Sequence, residues 1–188
     1  MATNLIKVTE DTAIVWADTT DYSSTITGLV RTDQIDLTSV LAGAARQGAK
    51  KDFGVTRADL YEIFVAIEFA SASVSSEVVS IYHAGSPSAT AGNANPGGTS
   101  GADAGYTGTA GDSLADSLKQ LILLGNLITT SDNTTTVQYG TIGFIPGSKI
   151  LRYGMPVVFF DTTGDAVADA VEMLIAYIPV NPDIQAAA

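Results

Sequence analysis

Short stretches in which every second side chain is apolar recur along this chain. The clearest runs over residues 61–70, and another runs over residues 171–178. Such alternation is typical of a strand that buries one face. We expect the two apolar faces to pack together in the core: Ile63, Val65, Ile67 and Phe69 against Val171, Met173, Ile175 and Tyr177.

Further segments rich in β-branched and aromatic residues are predicted to be strands: 12–17, 78–83, 121–130, 137–145 and 156–160. The second of these follows residues 61–70 after a short polar turn, which predicts a hairpin. The third is apolar on both faces and predicts a buried strand. Pro179 and Pro182 are expected to end the last strand, and Gly140 and Gly143 predict a bulge or a close backbone approach.

Two segments have helical signals. The first is residues 33–45, and the second begins at Asp112, which can cap a short helix through Gln120. Strands joined by turn clusters without β-α-β alternation predict an all-β fold. We expect a jelly-roll-like antiparallel β-sandwich with one long Gly/Ala/Ser-rich loop and a short helix. The sandwich should span residues 37–188, preceded by an arm with the first strand, residues 1–36, which is a candidate attachment segment.

The long loop, residues 84–111, holds eight of the eighteen glycines and two prolines. Its small side chains can bury little apolar area, so some other surface must supply the free energy that orders it. We therefore expect it to be ordered in an assembly and mobile in the isolated protomer. Tyr106, its one aromatic residue, either pins the loop to its own domain or anchors it in a neighbouring subunit.

Charge and composition exclude several classes of function. The net charge of −11 argues against nucleic-acid binding, which needs clustered basic residues. The chain has no cysteine, so it has neither disulfides nor thiolate metal sites. No signal peptide or membrane-spanning run is visible, which predicts synthesis in the cytoplasm and no membrane partner. Residues 46–57 hold four of the nine basic residues and form either a solvated loop or a basic docking patch.

The sequence offers little catalytic chemistry. His83 is the only histidine, so any Ser-His-Asp arrangement must use it, together with Ser86 or Ser88. No G-x-S-x-G turn supports a nucleophile there. Three aspartates at positions 161, 165 and 169 lack the spacing of a calcium loop. We predict that the protein is not an enzyme and has no catalytic residue, no cofactor and no metal.

Several segments of the chain resemble a family of small structural proteins of tailed bacteriophages. The matching pieces are GAAR at 43–46, KDFGVTRA at 51–58, AIEFA at 66–70, SPSATAGNANPGGTSGADAGYTG at 86–108, LKQL at 118–121, RYG at 152–154, VEM at 171–173 and IP at 178–179. They cover most of the chain from about residue 37 to residue 185. The resemblance carries over no catalytic residue, and the first 36 residues resemble the family least.

This resemblance implies a virion structural protein, made in the host cytoplasm. The function expected from it is a capsid decoration or cement protein that forms homo-oligomers and binds the major capsid protein or other virion proteins. A tail-associated role and a glycan- or receptor-binding β-sandwich are the alternatives. The candidate assembly residues are charged, small or aromatic side chains of residues 46–57 and of the long loop: Arg46, Lys50, Lys51, Asn95, Gly97, Gly98, Asp103 and Tyr106.

Overall fold

The computed structural model describes residues 5–20, 22–23, 27–70, 75–131, 137–163, 166–168 and 172–185. Within these residues the chain forms twelve strands and one α-helix. The strands are β1 (Leu5–Glu10), β2 (Ile14–Ala17), β3 (Asp33–Gln34), β4 (Ala45–Gln47), β5 (Lys51–Asp52), β6 (Leu60–Ile67), β7 (Val78–Ser86), β8 (Ala104–Tyr106), β9 (Ile122–Ile128), β10 (Gln138–Pro146), β11 (Tyr153–Asp161) and β12 (Leu174–Gln185). The helix is α1 (Leu114–Leu118), and short 3-10 turns lie at Pro96–Gly98 and Gly147–Lys149.

The strands form two six-stranded sheets that pack as a sandwich, which confirms the all-β prediction. Sheet I has the order β10-β6-β12-β2-β3, with β1 paired to the second half of β12. Sheet II has the order β8-β4-β11-β7-β9, with β5 paired to the start of β11. All pairs are antiparallel except β2 with β3. The finer expectation of jelly-roll connectivity stays a prediction.

The main core lies between the sheets and has Trp16 at its centre, fully buried on β2. Its indole nitrogen donates a hydrogen bond to the carbonyl of Ala49 at 2.8 Å, which satisfies the polar end of a buried ring. Residues 5–10, 14–17 and 33–34 all pair within sheet I. The N-terminal 36 residues therefore contribute strands to the sandwich, and their use in attachment stays a prediction.

The predicted core residues are buried, but in a different arrangement from the one expected. Ile175 lies opposite Val65, and Tyr177 lies opposite Ile63, because β12 and β6 are neighbours in sheet I. The two alternating faces therefore lie side by side and pack jointly against sheet II. Val171, the remaining member of that prediction, lies outside the described residues.

The predicted hairpin between residues 61–70 and 78–83 is wrong. β6 belongs to sheet I, whereas β7 belongs to sheet II, so the connection crosses from one sheet to the other. The prediction that Pro179 and Pro182 end the last strand is also wrong, since β12 continues to Gln185. The carbonyl of Pro179 accepts a hydrogen bond from the backbone N–H of Asp11. The missing N–H of Pro179 therefore faces the link between β1 and β2, where no ladder bond is lost.

The helix predicted over residues 33–45 is absent from the structure. Ile35 and Leu37 are both buried, which is the two-residue spacing of an extended segment. The side chain of Asp36 accepts the backbone N–H of Thr38, and Ser39 has a positive φ of 57°. Both features stop a helix from propagating. The second predicted helix exists as α1, although its cap is Ser113 rather than Asp112 and it ends at Leu118 rather than at Gln120.

Candidate functional site

The long loop folds back over the outer face of sheet II. Together with α1 it covers a second cluster of buried side chains, to which the sheet contributes Ala45, Ala84, Met155 and Val157, and the loop side contributes Tyr106, Leu118 and Leu121. The hydroxyl of Tyr106 donates to the carbonyl of Gly97 at 2.5 Å. That bond lies within the loop, whereas the ring itself is buried against sheet II and pins the loop to its own domain, so the alternative of an anchor in a neighbouring subunit is not the arrangement seen.

Glycines allow the loop backbone to pack closely against neighbouring segments. Gly97, Gly98 and Gly101 all have positive φ, which a residue with a Cβ adopts at a cost. A Cβ on Gly97 would lie 2.8 Å from the Tyr106 hydroxyl, and one on Gly98 would lie 2.6 Å from the backbone of Gly108. Of the surfaces that could order the loop (the body of the domain, a sister subunit or the capsid), the structure shows contacts with the chain's own residues.

Lys50 holds the first half of the loop by its ammonium group. Its Nζ lies 3.1 Å from Ser86 Oγ and 3.1, 2.8 and 3.1 Å from the carbonyl oxygens of Ser88, Thr90 and Asn93. An ammonium group has three N–H donors, so one of them is shared between two of these oxygens. Burial lowers the pKa of Lys50 from its ordinary value. Lys50 therefore acts within the chain as the cation that gathers these carbonyl groups.

Asp103 joins the two sheets at the edge formed by β3 and β4. Its Oδ1 accepts from Arg46 Nε of sheet II at 2.7 Å. Its Oδ2 accepts, at 3.2 Å each, from Gln34 Nε2 of β3 and from the backbone N–H of Asp36. The hydrogen bond to Asp103 raises the pKa of Arg46. The Asp103 carboxylate of the loop thus bonds to residues of both sheets.

The remaining candidate residues are also engaged within the chain. Lys51 forms an ion pair with Asp33 at 2.8 Å. Asn95 Nδ2 donates to the carbonyls of Ala91 and Thr99 at 2.6 and 2.8 Å. Arg46, Lys50 and Lys51 therefore do not form an open basic patch, because their charges are used to hold the fold. A further role for any of the eight residues in contacts between molecules stays a prediction.

His83 is fully buried in the core between the sheets. Its Nδ1 lies 3.2 Å from the hydroxyl of Tyr177, which links sheet II to sheet I. Burial lowers the pKa of His83 from 6.5 to about 4, and burial also raises the pKa of Tyr177 well above its ordinary value. The Oγ of Ser86 is bound to Lys50 and donates to the carbonyl of Asn93 at 3.1 Å. The structure therefore gives His83 a role in packing, and the absence of catalysis stays a prediction.

A groove of about 510 Å³ lies at one end of sheet I, lined in part by Asp11, Phe53, Arg57, Tyr61 and Asn181. Asn181 Nδ2 donates to Asp11 Oδ2 at 2.6 Å. The Phe53 and Tyr61 rings are only 7% and 3% exposed, so neither offers an open face on which a sugar could stack. The groove does not favour glycan binding.

The described part of the chain holds neither a cluster of metal ligands nor a helix that could span a membrane. No three acidic or histidine side chains there lie close enough together to hold a metal ion. Asp165 and Asp169, considered in the sequence with Asp161, lie outside the described residues. No described helix has the length and hydrophobicity to cross a membrane.

The most prominent open apolar surface lies at the other side of the sandwich, where β9 and β10 are the outer strands of the two sheets. We call this surface the β9/β10 edge. It carries five large side chains that are 41–58% exposed. The strand registers place Leu123 and Ile128 on the outer face of sheet II, Tyr139 and Phe144 on the outer face of sheet I, and Ile122 opposite His83. β9 was expected to be buried on both faces, which is wrong because only its inward side chains, Leu124 and Leu127, pack in the core. Neither strand contains a charged residue.

The two strands of this edge meet where each has a bulge. The register of β9 against β7 shifts next to Leu124, and the register of β10 against β6 shifts at Ile142. A Cβ on Gly125 would clash with the carbonyl of Ile142, and one on Gly143 would clash with the carbonyl of Leu124. This confirms the close approach that was predicted at Gly143. It also covers backbone groups that an edge strand would otherwise expose.

Comparisons with protein families, with curated proteins and with solved structures found no match for this chain.

Proposed function

We propose that this chain is a structural protein of a tailed-bacteriophage particle, in the class of head decoration or cement proteins that oligomerise and bind the particle surface. The observation that carries the proposal is the exposed apolar side chains along the β9/β10 edge, Leu123 and Ile128 on one sheet and Tyr139 and Phe144 on the other, in a protein with a net charge of −11. Exposed apolar surfaces of this kind are typical of protein–protein contacts. The resemblance of the chain to phage structural proteins agrees with that interpretation.

The construction of the long loop supports the same class of function. A segment of this length with many glycines would ordinarily be a mobile tether, but here Lys50, Asp103 and Tyr106 tie it to the domain. The loop is thereby held against the outer face of sheet II. A loop held in this way suits a particle component that must keep its shape through assembly.

Mass spectrometry of purified particles tests the proposal. Particles of the phage that encodes this sequence should contain the chain, at a stoichiometry close to that of the major capsid protein if it decorates the head. A few copies per particle would indicate a tail component instead. Its absence from particles that are infectious and complete would refute the proposal.

A further inference from the structure

We propose that residues 86–95 form a binding site for one monovalent cation of the ammonium type, and that Lys50 fills this site with its own ammonium group. Four oxygen atoms surround Lys50 Nζ at 2.8–3.1 Å. They are the Oγ of Ser86 and the carbonyl oxygens of Ser88, Thr90 and Asn93. We call these four atoms the oxygen cage. Backbone carbonyl oxygens that converge on one point can replace the hydration shell of a monovalent cation.

The chemistry of the oxygen cage favours a single positive charge. Its members are a hydroxyl and three backbone carbonyls, all of them uncharged. Within the described residues, Lys50 takes part in none of the ion pairs. Calcium and magnesium are held largely by carboxylates, which offset their two charges. Neutral oxygens suffice for an ion that carries one charge, so the cage selects a monovalent cation.

Hydrogen bonds that do not involve Lys50 keep the oxygens of the cage together. The hydroxyl of Ser86 donates to the carbonyl of Asn93 at 3.1 Å and accepts the backbone N–H of Ser88 at 3.2 Å. The backbone N–H of Asn93 donates to the carbonyl of Thr90 at 3.2 Å. These bonds build much of the cage before a cation enters it, which lowers the entropic cost of binding.

The oxygen cage is closed at its base and open to solvent at its rim. Ser86 is fully buried, whereas Thr90 and Asn93 are exposed. The backbone N–H of Lys50 donates to the carbonyl of Gly101 at 3.0 Å, so this part of the chain stays attached to the loop when the side chain is shortened. Truncation of Lys50 at Cβ should therefore leave a site that a small cation can reach from solvent. In the wild type the tethered ammonium group excludes free cations, and the order of the loop should not depend on the salt.

Hydrogen exchange of residues 86–95, followed by mass spectrometry at one pH and one ionic strength, tests this inference. In tetramethylammonium chloride, whose cation is too large for the cage, Lys50→Ala should exchange about tenfold faster than the wild type. Ammonium or methylammonium chloride should slow that exchange again, with a dependence on concentration that saturates. Lys50→Met is the matched control, because it loses the same ammonium group but fills its place with an apolar side chain. It should exchange fast in every salt, and the wild type slowly in every salt.

Three results overturn the inference: Lys50→Ala exchanges like the wild type without a small cation, it responds equally to tetramethylammonium, or Lys50→Met is rescued as well. If Lys50→Ala does not fold in tetramethylammonium chloride, folding itself becomes the measured quantity, followed by circular dichroism. Ammonium or methylammonium should then restore the fold, and failure in all three salts refutes the site. The inference concerns the loop alone, so its outcome leaves the proposed function to be judged by the composition of the particles.

Discussion

The buried histidine makes stability depend on pH between about pH 4 and pH 6.5. In the unfolded chain His83 takes up a proton near its ordinary pKa of 6.5, whereas in the folded chain burial holds its pKa at about 4. Between these values the unfolded state binds more protons than the folded state. The free energy of unfolding should therefore fall as pH is lowered from about 6.5 to about 4, and this contribution is fully present above that window.

The expected size follows from the separation of the two pKa values. One pKa unit corresponds to about 1.4 kcal/mol, so the full effect is roughly 3 kcal/mol. The groups around the His83 ring do not reduce the shift of its pKa. Nε2 has no hydrogen-bond partner in the described residues, and Nδ1 faces the Tyr177 hydroxyl. The Gly154 backbone also packs against the ring, where a Cβ would clash with Cε1. These neighbours offer no carboxylate that could stabilise an imidazolium.

Urea unfolding of the wild type and of His83→Gln between pH 7.5 and 4 measures this contribution. The upper limit lies about one pH unit above the pKa of His83 in the unfolded chain, and the lower limit lies at its pKa in the folded chain. The carboxylates are common to both proteins, so their effects cancel in the difference between the two curves. His83→Gln lowers stability at pH 7 through lost packing, but its curve should fall less steeply as the pH drops. Parallel curves, or an NMR titration of His83 with a midpoint near its ordinary value, would refute the reasoning.

Three further substitutions test the contacts that order the loop and the edge. Lys50→Met removes an ammonium group bound to four oxygens and should cost about 2 kcal/mol, with faster hydrogen exchange in residues 86–95. Tyr106→Phe loses one buried hydrogen bond, and chemical denaturation should show a loss of about 1 kcal/mol. Gly143→Ala should destabilise by about 1–3 kcal/mol because its Cβ meets a carbonyl oxygen. Gly140→Ala on the same strand has open space around it, and equal melting of the two alanine variants would contradict this account.

The sequence predicted the strands well where side chains alternate, and it failed where pairing between strands had to be chosen. The alternation at residues 61–70 identifies β6 and its buried face because a two-residue period is a local property of the chain. Whether β7 returns beside β6 depends on the path of residues 71–77, which carries no such signal. Pairing β6 with β12 brings together residues more than a hundred positions apart. No spacing in the sequence encodes that choice.

The contacts that the basic residues make within the chain could not be predicted for a related reason. Arg46 and Asp103 are separated by 57 positions, and Lys50 reaches a carbonyl 43 positions away. In the sequence, a run of basic residues shows no partners when those partners lie far along the chain. Backbone carbonyl oxygens cannot be recognised as partners either, because every residue has one. The apolar side chains of β9 were a better signal. An outer strand that remains apolar on its exposed side, as at Leu123 and Ile128, indicates a surface that contacts something else.

The glycines of the loop show why composition alone is a poor guide to flexibility. Gly97, Gly98 and Gly101 combine positive φ with neighbours that leave no room for a Cβ, so at these positions glycine permits close packing. Gly92 and Gly105 have open space around them and ordinary φ, so there glycine confers only freedom. Both kinds raise the conformational entropy lost on folding. Only the closely packed glycines make contacts that offset this loss of conformational entropy. A glycine-rich loop is therefore ordered or mobile according to which kind predominates, and that property becomes visible only once the chain is folded.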